Sequence, residues 1–213
     1  MLMALADGRA LPAGELAAAA GLSPSGASAH LALLTQAGLL ASEREGRHRY
    51  YRLAGPQVAV ALESLAALAT APGRTRARLP AVEALRRGRT CYDHLAGQIG
   101  VALAQGMEGH GLLEHGEGKR LEVTAAGERW FADVFGIETA RLRPGRHGIA
   151  CQCLDWTERR HHVAGPLGAA LLRRCRELGW VAQVSGSTRA IMLTLPGASR
   201  LRDAMGLALP AKP

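Results

Sequence analysis

No run of apolar residues in the chain approaches the roughly 18 that a membrane span requires, and Met1-Leu-Met-Ala-Leu is too short to read as a signal peptide. No membrane partner is therefore expected. Lysine is scarce as well, so that nearly all of the positive charge behind a net +8 and a pI near 10.2 is arginine. Arginine favours bidentate contacts with phosphate and guanine, although a GC-rich coding bias would raise it equally. Cysteine is sparse. The four, at positions 91, 151, 153 and 175, are irregularly spaced in a chain large enough to fold without staples, which points to a reducing, cytoplasmic setting with free or functional thiols. Also missing are a Gly-x-Ser-x-Gly elbow, a phosphate-binding loop and a metalloprotease helix. Cys153, Asp155 and His162 have the side-chain types of a thiol nucleophile and its base, yet without such surroundings no enzyme is expected. At 213 residues the chain can hold one large or two small domains.

What is present is concentrated first between Leu11 and Leu53. Glu15 to Ala20 is rich in helix formers, and Gly21 supplies a residue tolerant of positive φ where that helix must stop. Ser23-Pro24 then starts a second helix, the serine accepting from a free first-turn N–H and the proline sitting at the first helical position, where its missing donor does no harm. This helix is expected to run from Pro24 to Gln36 with Ala27, Leu31 and Leu34 inward and Ser25, Ser28, Ala29 and Ala32 outward. An outer face so small and polar fits a major groove about 12 Å wide. Residues 39–53, LLASEREGRHRYYRL, read as a hairpin turning at Glu45-Gly46, around which Arg44, Arg47, Arg49 and Arg52 cluster. Four guanidinium groups there suit DNA phosphates or a minor groove.

The stretch SPSGASAHLALLTQAGLLASEREGRHRYYRL resembles the recognition helix and wing of the ArsR family of bacterial winged helix-turn-helix repressors, with helix, AGLL junction and EGR-x-x-YYRL wing in the same order and spacing. The resemblance covers residues 1–70. It implies a homodimeric repressor that binds double-stranded DNA through Ser23, Ser25, Ser28, Ala29, His30, Arg44, Arg47 and Arg49. In such proteins a full helix stands where MLMALADGR lies, so these residues are expected to be the tail of a helix beginning upstream, the alternative being a different mode of dimerisation. Gln57 to Ala69 carries Val58, Leu62, Leu65 and Leu68 at 3-4 spacing, as in the family's terminal dimerisation helix or in a plain core stripe. Metal-sensing relatives place their ligands on one of these two helices. Neither helix has a cysteine here, and His30 stands alone.

Thr70 to Arg78 has the proline, glycine and charge of a linker, and with a short basic helix from Leu79 to Gly88 it fills residues 71–90. From 91 to 213 an internal repeat is legible, with copies over 91–140 and 151–209. Cys91-Tyr-Asp and His94-Leu-Ala-Gly are echoed by Cys153-Leu-Asp and, after six extra residues, His162-Val-Ala-Gly. Gly111-Leu-Leu pairs with Gly179-Trp-Val, and Val123-Thr-Ala-Ala-Gly with Leu193-Thr-Leu-Pro-Gly. Each copy is expected to be a helix, a glycine-terminated junction, a β-hairpin around Gly116 or Gly186, and a closing helix. The fold class is thus mainly helical with small hairpins (α+β), a winged helix-turn-helix followed by two tandem winged-helix-like units related by a pseudo-twofold axis.

That axis would bring Cys91, Tyr92, Asp93 and His94 beside Cys153, Asp155, Trp156 and His162, a candidate effector site. The ligand types suit zinc or a softer thiophilic ion, but Cys-x-Cys lacks the two-residue spacer of zinc knuckles, and buried cysteines are commonly core fillers. No cofactor is therefore expected, with a metal ion or a small molecule as the alternative effector. Trp156 could line a ligand pocket or anchor the six-residue insertion. Cys151, beside a loop rich in glycine and arginine, is expected to be the reactive thiol. Cys175, among Arg173, Arg174 and Arg176, would have a lowered pKa if exposed and is otherwise a helix-face residue.

Overall fold

The computed structural model describes residues 1–45, 48–68 and 80–211. Its N-terminal part begins with a 3-10 turn, Leu2–Leu5, followed by β1 (Leu11–Pro12), α1 (Ala13–Ala20), α2 (Pro24–Gln36), β2 (Leu40–Glu45), β3 (His48–Leu53) and α3 (Pro56–Leu68). Gly21 ends α1 in the left-handed region at φ +66°, where its N–H reaches the carbonyls of Ala17 and Ala18. Ser23 caps α2, its Oγ accepting from Gly26 N at 3.2 Å. Leu31 and Ala27 are buried on the inner face of α2, and Leu31 joins Leu5, Leu16, Leu40 and Val58 in a small core. The three strands pair antiparallel in the order β1-β3-β2, with Leu40 opposite Leu53 and Arg44 opposite Arg49. This is the winged helix-turn-helix arrangement. The apolar N-terminal run, expected as the tail of a longer helix, makes a single 3-10 turn that buries Leu5 in this core.

The C-terminal part contains α4 (Pro80–Arg87), β4 (Arg89–Cys91), β5 (His94–Ala96), α5 (Gly97–Gly109), β6 (Leu113–His115), β7 (Arg120–Val123) and α6 (Ala125–Trp130), which runs on as a π turn over Phe131–Phe135. After a short 3-10 turn come β8 (Ala150–Leu154), β9 (His161–Ala164), α7 (Gly165–Glu177), β10 (Val181–Gln183), β11 (Ile191–Leu193) and α8 (Leu195–Met205). A succession of hairpin, helix, hairpin and helix therefore occurs twice. Both long helices span 13 residues, and both closing helices are capped by a threonine whose Oγ1 accepts from a first-turn N–H, Gly127 N at 3.0 Å for Thr124 and Gly197 N at 3.2 Å for Thr194, while donating to the carbonyl of Gly111 or Gly179.

Two points differ from the sequence expectation. Strand β4 already begins at Arg89, inside the segment read as linker and short helix, and each unit opens on a hairpin that the expected order of elements did not include. The physical reason is the brevity of these strands. Arg89–Cys91 and His94–Ala96 are buried on both faces and show no alternation, so nothing in their periodicity separates them from helix.

The two halves of the C-terminal part interlock reciprocally. The hairpin β4–β5 lies on α7 and the hairpin β8–β9 on α5, and glycines permit both approaches. A methyl on Gly100 would meet Leu95 O at 2.4 Å with His162 Cβ at 3.5 Å, and one on Gly168 would meet Val163 O at 2.5 Å with His94 Cβ at 3.1 Å. One core results, built from Leu95, Ile99, Leu103 and Phe131 of the first half and Val163, Leu167, Leu171 and Trp180 of the second.

The winged helix-turn-helix part is fastened to this body. The carbonyl of Asp7 accepts from Thr188 N at 3.1 Å and Ser187 Oγ at 2.9 Å, and Arg189 Nη1 donates to Ala6 O at 2.7 Å.

Candidate functional site

On the outer face of α2, Ser25, Ser28, Ala29 and His30 are exposed, as is the cap Ser23.

 Ser28 Oγ donates to Pro24 O at 2.9 Å within its own helix, and the hydroxyls of Ser23 and Ser25 stand 3.2 Å apart at the helix start. The wing sets Arg44 and Arg49 directly opposite each other, both exposed. Guanidinium groups so placed suit the phosphates of DNA. Arg47 lies outside the described residues. On α3, Val58 is buried while Leu65 is 65% exposed, so the apolar stripe expected there is split between the core and the surface.

The second cluster forms where the two leading hairpins meet. Each presents a cysteine opposite a histidine, Cys91 with His94 in β4–β5 and Cys153 with His162 in β8–β9. Their ligand atoms all lie within 4.8 Å of one another, and the Nε2 atoms of the two histidines are 3.1 Å apart. Cys91, His94 and His162 are buried, whereas Cys153 is half-buried. The far nitrogens of both rings face carboxylates. His94 Nδ1 is 3.1 Å from Asp93 Oδ1, and His162 Nδ1 is 3.3 Å from Asp155 Oδ2, off the line of a hydrogen bond. Among the effector-site candidates, Tyr92 is drawn away: it sits in the β4–β5 turn at φ +58° and is 66% exposed.

Asp155 is fully buried and saturated with donors. It accepts from Gly97 N at 2.7 Å, Thr157 Oγ1 at 2.7 Å and Thr157 N at 2.9 Å, and its Oδ2 lies 3.1 Å from Arg89 Nη2. Burial alone would raise its pKa, but the contacts with His162, Arg89 and Thr157 overrule it and hold the carboxyl well below the usual range. Arg89, itself fully buried, continues to Glu63 of α3, with Nε 3.2 Å from Oε1, and Arg189 Nη2 closes on the same carboxylate. Glu63 likewise resists the upward push of burial because two guanidinium groups face it, so its pKa is lowered. A buried chain of charge thus leads from His162 through Asp155, Arg89 and Glu63 to the last helix of the DNA-binding part. Trp156 lies against this chain, its ring 5.3 Å from the Arg89 guanidinium. It does not line the cleft of about 620 Å³ between α1 and the β10–β11 hairpin that includes Arg9, Glu15 and Ser185.

The thiols differ from one another. A hydrogen bond with Cys153, together with burial, pushes the Cys91 pKa up to about 12, and the same bond lowers that of Cys153 against the upward push of burial. Burial raises the pKa of Cys151, which corrects its reading as the reactive thiol, since a raised pKa leaves less thiolate. Cys175 is buried in the core and pushed up to about 12 by that burial, so the neighbouring arginines, turned outward, do not activate it.

Sequence reasoning did not single out Arg89, Glu63 or Arg189. Arg89 is itself the first residue of β4, a strand buried at all three positions, but in the sequence it is one of three arginines around Gly88 and carries no signal of its own. Glu63 had none, because one glutamate on an alanine-rich helix reads as its solvated face.

Residues 1–49 match the model of the MarR family. Over 202 residues the chain is 43% identical to the uncharacterized HTH-type transcriptional regulator YdfF of Bacillus subtilis (strain 168), an alignment covering 92% of this chain and 86% of that protein. The chain belongs to the helix-turn-helix transcriptional regulators, and it is not an enzyme. The family matched by its N-terminal residues is MarR, and neither match carries the ArsR assignment that the same residues resemble. Among the described residues no helix is long and apolar enough to cross a membrane.

Proposed function

We propose that the protein is a homodimeric repressor of the winged-helix class, ArsR-like in its recognition helix and wing, whose hold on its operator is set by the C-terminal half. The reading places α2 in the major groove, with Ser23, Ser25, Ser28, Ala29 and His30 toward the bases, and the wing arginines 44, 47 and 49 on the backbone or in the minor groove. The exposed Leu65 supports α3 as part of the dimer seam. The C-terminal half is read as two copies of one winged-helix-like unit, supported by the matched threonine caps and the reciprocal packing of hairpin on helix. The observation that carries the regulatory reading is Glu63. It sits on the helix next to the wing, yet its carboxylate is held by Arg89 and Arg189 of the C-terminal body. A change in that body therefore has a route to the spacing of two recognition helices, and a coupling of about 1 to 3 kcal/mol suffices for a switch.

The test starts with DNA from upstream of the gene itself and its neighbours. Wild type is expected to shift and footprint one such fragment, and deleting the gene is expected to raise transcription from it. Glu63→Gln should retain the fold by circular dichroism and change operator affinity by about 5- to 150-fold. If affinity is unchanged in that variant, the C-terminal half does not govern the DNA-binding part by this route. A fall in transcription on deletion would make the protein an activator.

A further inference from the structure

We propose that Cys91, His94, Cys153 and His162 form a binding site for a thiophilic divalent cation, zinc by preference. The inference deepens the proposed function by giving the C-terminal half a ligand, and it rests on that reading only for its regulatory meaning.

The donor set is two thiols and two imidazoles, the combination that tetrahedral zinc takes in protein sites. With metal–sulfur bonds of about 2.3 Å and metal–nitrogen bonds of about 2.0 Å, the corners of such a tetrahedron lie roughly 3.3 to 3.8 Å apart. Here the two Nε2 atoms are 3.1 Å apart, and no pair of the four ligand atoms exceeds 4.8 Å. Closing the set onto an ion requires adjustments of about 1 Å or less, within reach of side-chain rotation.

The second argument comes from the hydrogens. Each neutral imidazole has one N–H. The Nδ1 of His94 meets the Asp93 carboxylate, and the Nδ1 of His162 faces Asp155 Oδ2, where a lone pair would be repelled. With both hydrogens on Nδ1, the tautomer that these carboxylates favour, the two Nε2 lone pairs face each other across 3.1 Å with the Cys91 thiol beside them. Something positive belongs between them. A shared proton between the nitrogens and the Cys91–Cys153 hydrogen bond would satisfy the four atoms in pairs, whereas a metal ion engages all four donors at once. The carboxylates behind the histidines are the outer contacts that commonly orient metal-bound imidazoles, which makes Asp93 and Asp155 positioning residues. The half-buried Cys153 leaves one side of the site open to an entering ion.

The spacing along the chain does not resemble a zinc knuckle because no single loop supplies the ligands. Each hairpin contributes a cross-strand cysteine–histidine pair, and the reciprocal packing of the two halves brings the pairs together. Such a site also ties the two halves across their seam.

Cobalt(II) is the probe, because tetrahedral thiolate coordination gives it intense visible d–d bands and a sulfur-to-metal charge-transfer band. Full-length protein, reduced and stripped with a chelator, is titrated with cobalt and then zinc. One equivalent of cobalt should produce both bands, and zinc should bleach them. Cys153→Ser should lose the charge-transfer intensity of one thiolate, and Asp93→Asn, at a half-exposed position outside the core, should weaken binding by about 10- to 100-fold. Absence of tetrahedral bands in wild type overturns the proposal without reference to any variant, as does an unaltered spectrum in a Cys91→Ser, Cys153→Ser double variant. A count of only two free thiols in freshly purified, denatured protein also overturns it, in favour of a Cys91–Cys153 disulfide. Operator binding is measured on the same samples with and without zinc. A site that binds cobalt as described while leaving operator affinity unchanged supports the metal site and overturns only the metal's part in regulation.

Discussion

Arg89 is the largest fully buried side chain of the molecule described, and its charge is balanced by Glu63 on one side and Asp155 on the other. Replacing the pair of contacts with nothing is the expensive change, because it leaves two carboxylates buried with fewer partners. Arg89→Met keeps much of the volume and should cost about 3 to 5 kcal/mol in urea unfolding. A loss below about 1 kcal/mol would mean that Arg189 and the donors around Asp155 already suffice. Cys175 makes the opposite case, a group kept neutral by burial. With its pKa pushed up to about 12 from 9.0, only roughly one part in 10,000 is thiolate at pH 8, and folded protein should resist iodoacetamide there until denaturant is added. Because the folded value is the higher one, the contribution of this thiol to stability is complete below pH 9.0 and declines between 9.0 and about 12. Labelling of Cys175 in folded protein as fast as in urea would contradict its placement in the core.

The wing is a short hairpin whose register sets Arg44 against Arg49. Two exposed guanidinium groups side by side on the wing suit the phosphates of DNA, so their effect should appear as a dependence on salt. Replacing both by alanine is expected to flatten the plot of log K against log salt by up to about two, since each lost phosphate contact removes roughly 0.9 from the slope. The loss should be similar on specific and random DNA. An unchanged slope would remove the wing from the interface.

The molecule described is a single protomer with its DNA-binding part fastened to its own C-terminal body through Asp7, Glu63 and Arg189. A regulator reading a pseudo-palindrome requires two such protomers, with recognition helices about 34 Å apart, one turn of B-DNA. Light scattering of the operator complex should give two chains per site, and hydroxyl-radical footprints should repeat at about 10 base pairs. One chain on one half-site would contradict the dimer. Because α3 carries both the exposed Leu65 and the clamped Glu63, the same helix serves the proposed dimer seam and the contact with the C-terminal body.

The winged helix-turn-helix was legible in the chain because its signals are local. Pro24 after a capping serine, Gly21 at positive φ, and the inward spacing of Ala27 and Leu31 each act within a turn or two, and the structure places all of them as expected. The meeting of Cys91 and His94 with Cys153 and His162 was also foreseen, from the echo of one segment in the other. The form of that meeting was not legible. Strands of three buried residues carry no period of their own, so the hairpins that pair cysteine with histidine arise only when α5 and α7 cover them. The same holds for Arg89, Glu63 and Arg189. Their charges are tolerable in the interior only because residues 26 and 126 positions away along the chain are brought within ion-pair distance, and separations of that kind are settled by tertiary packing.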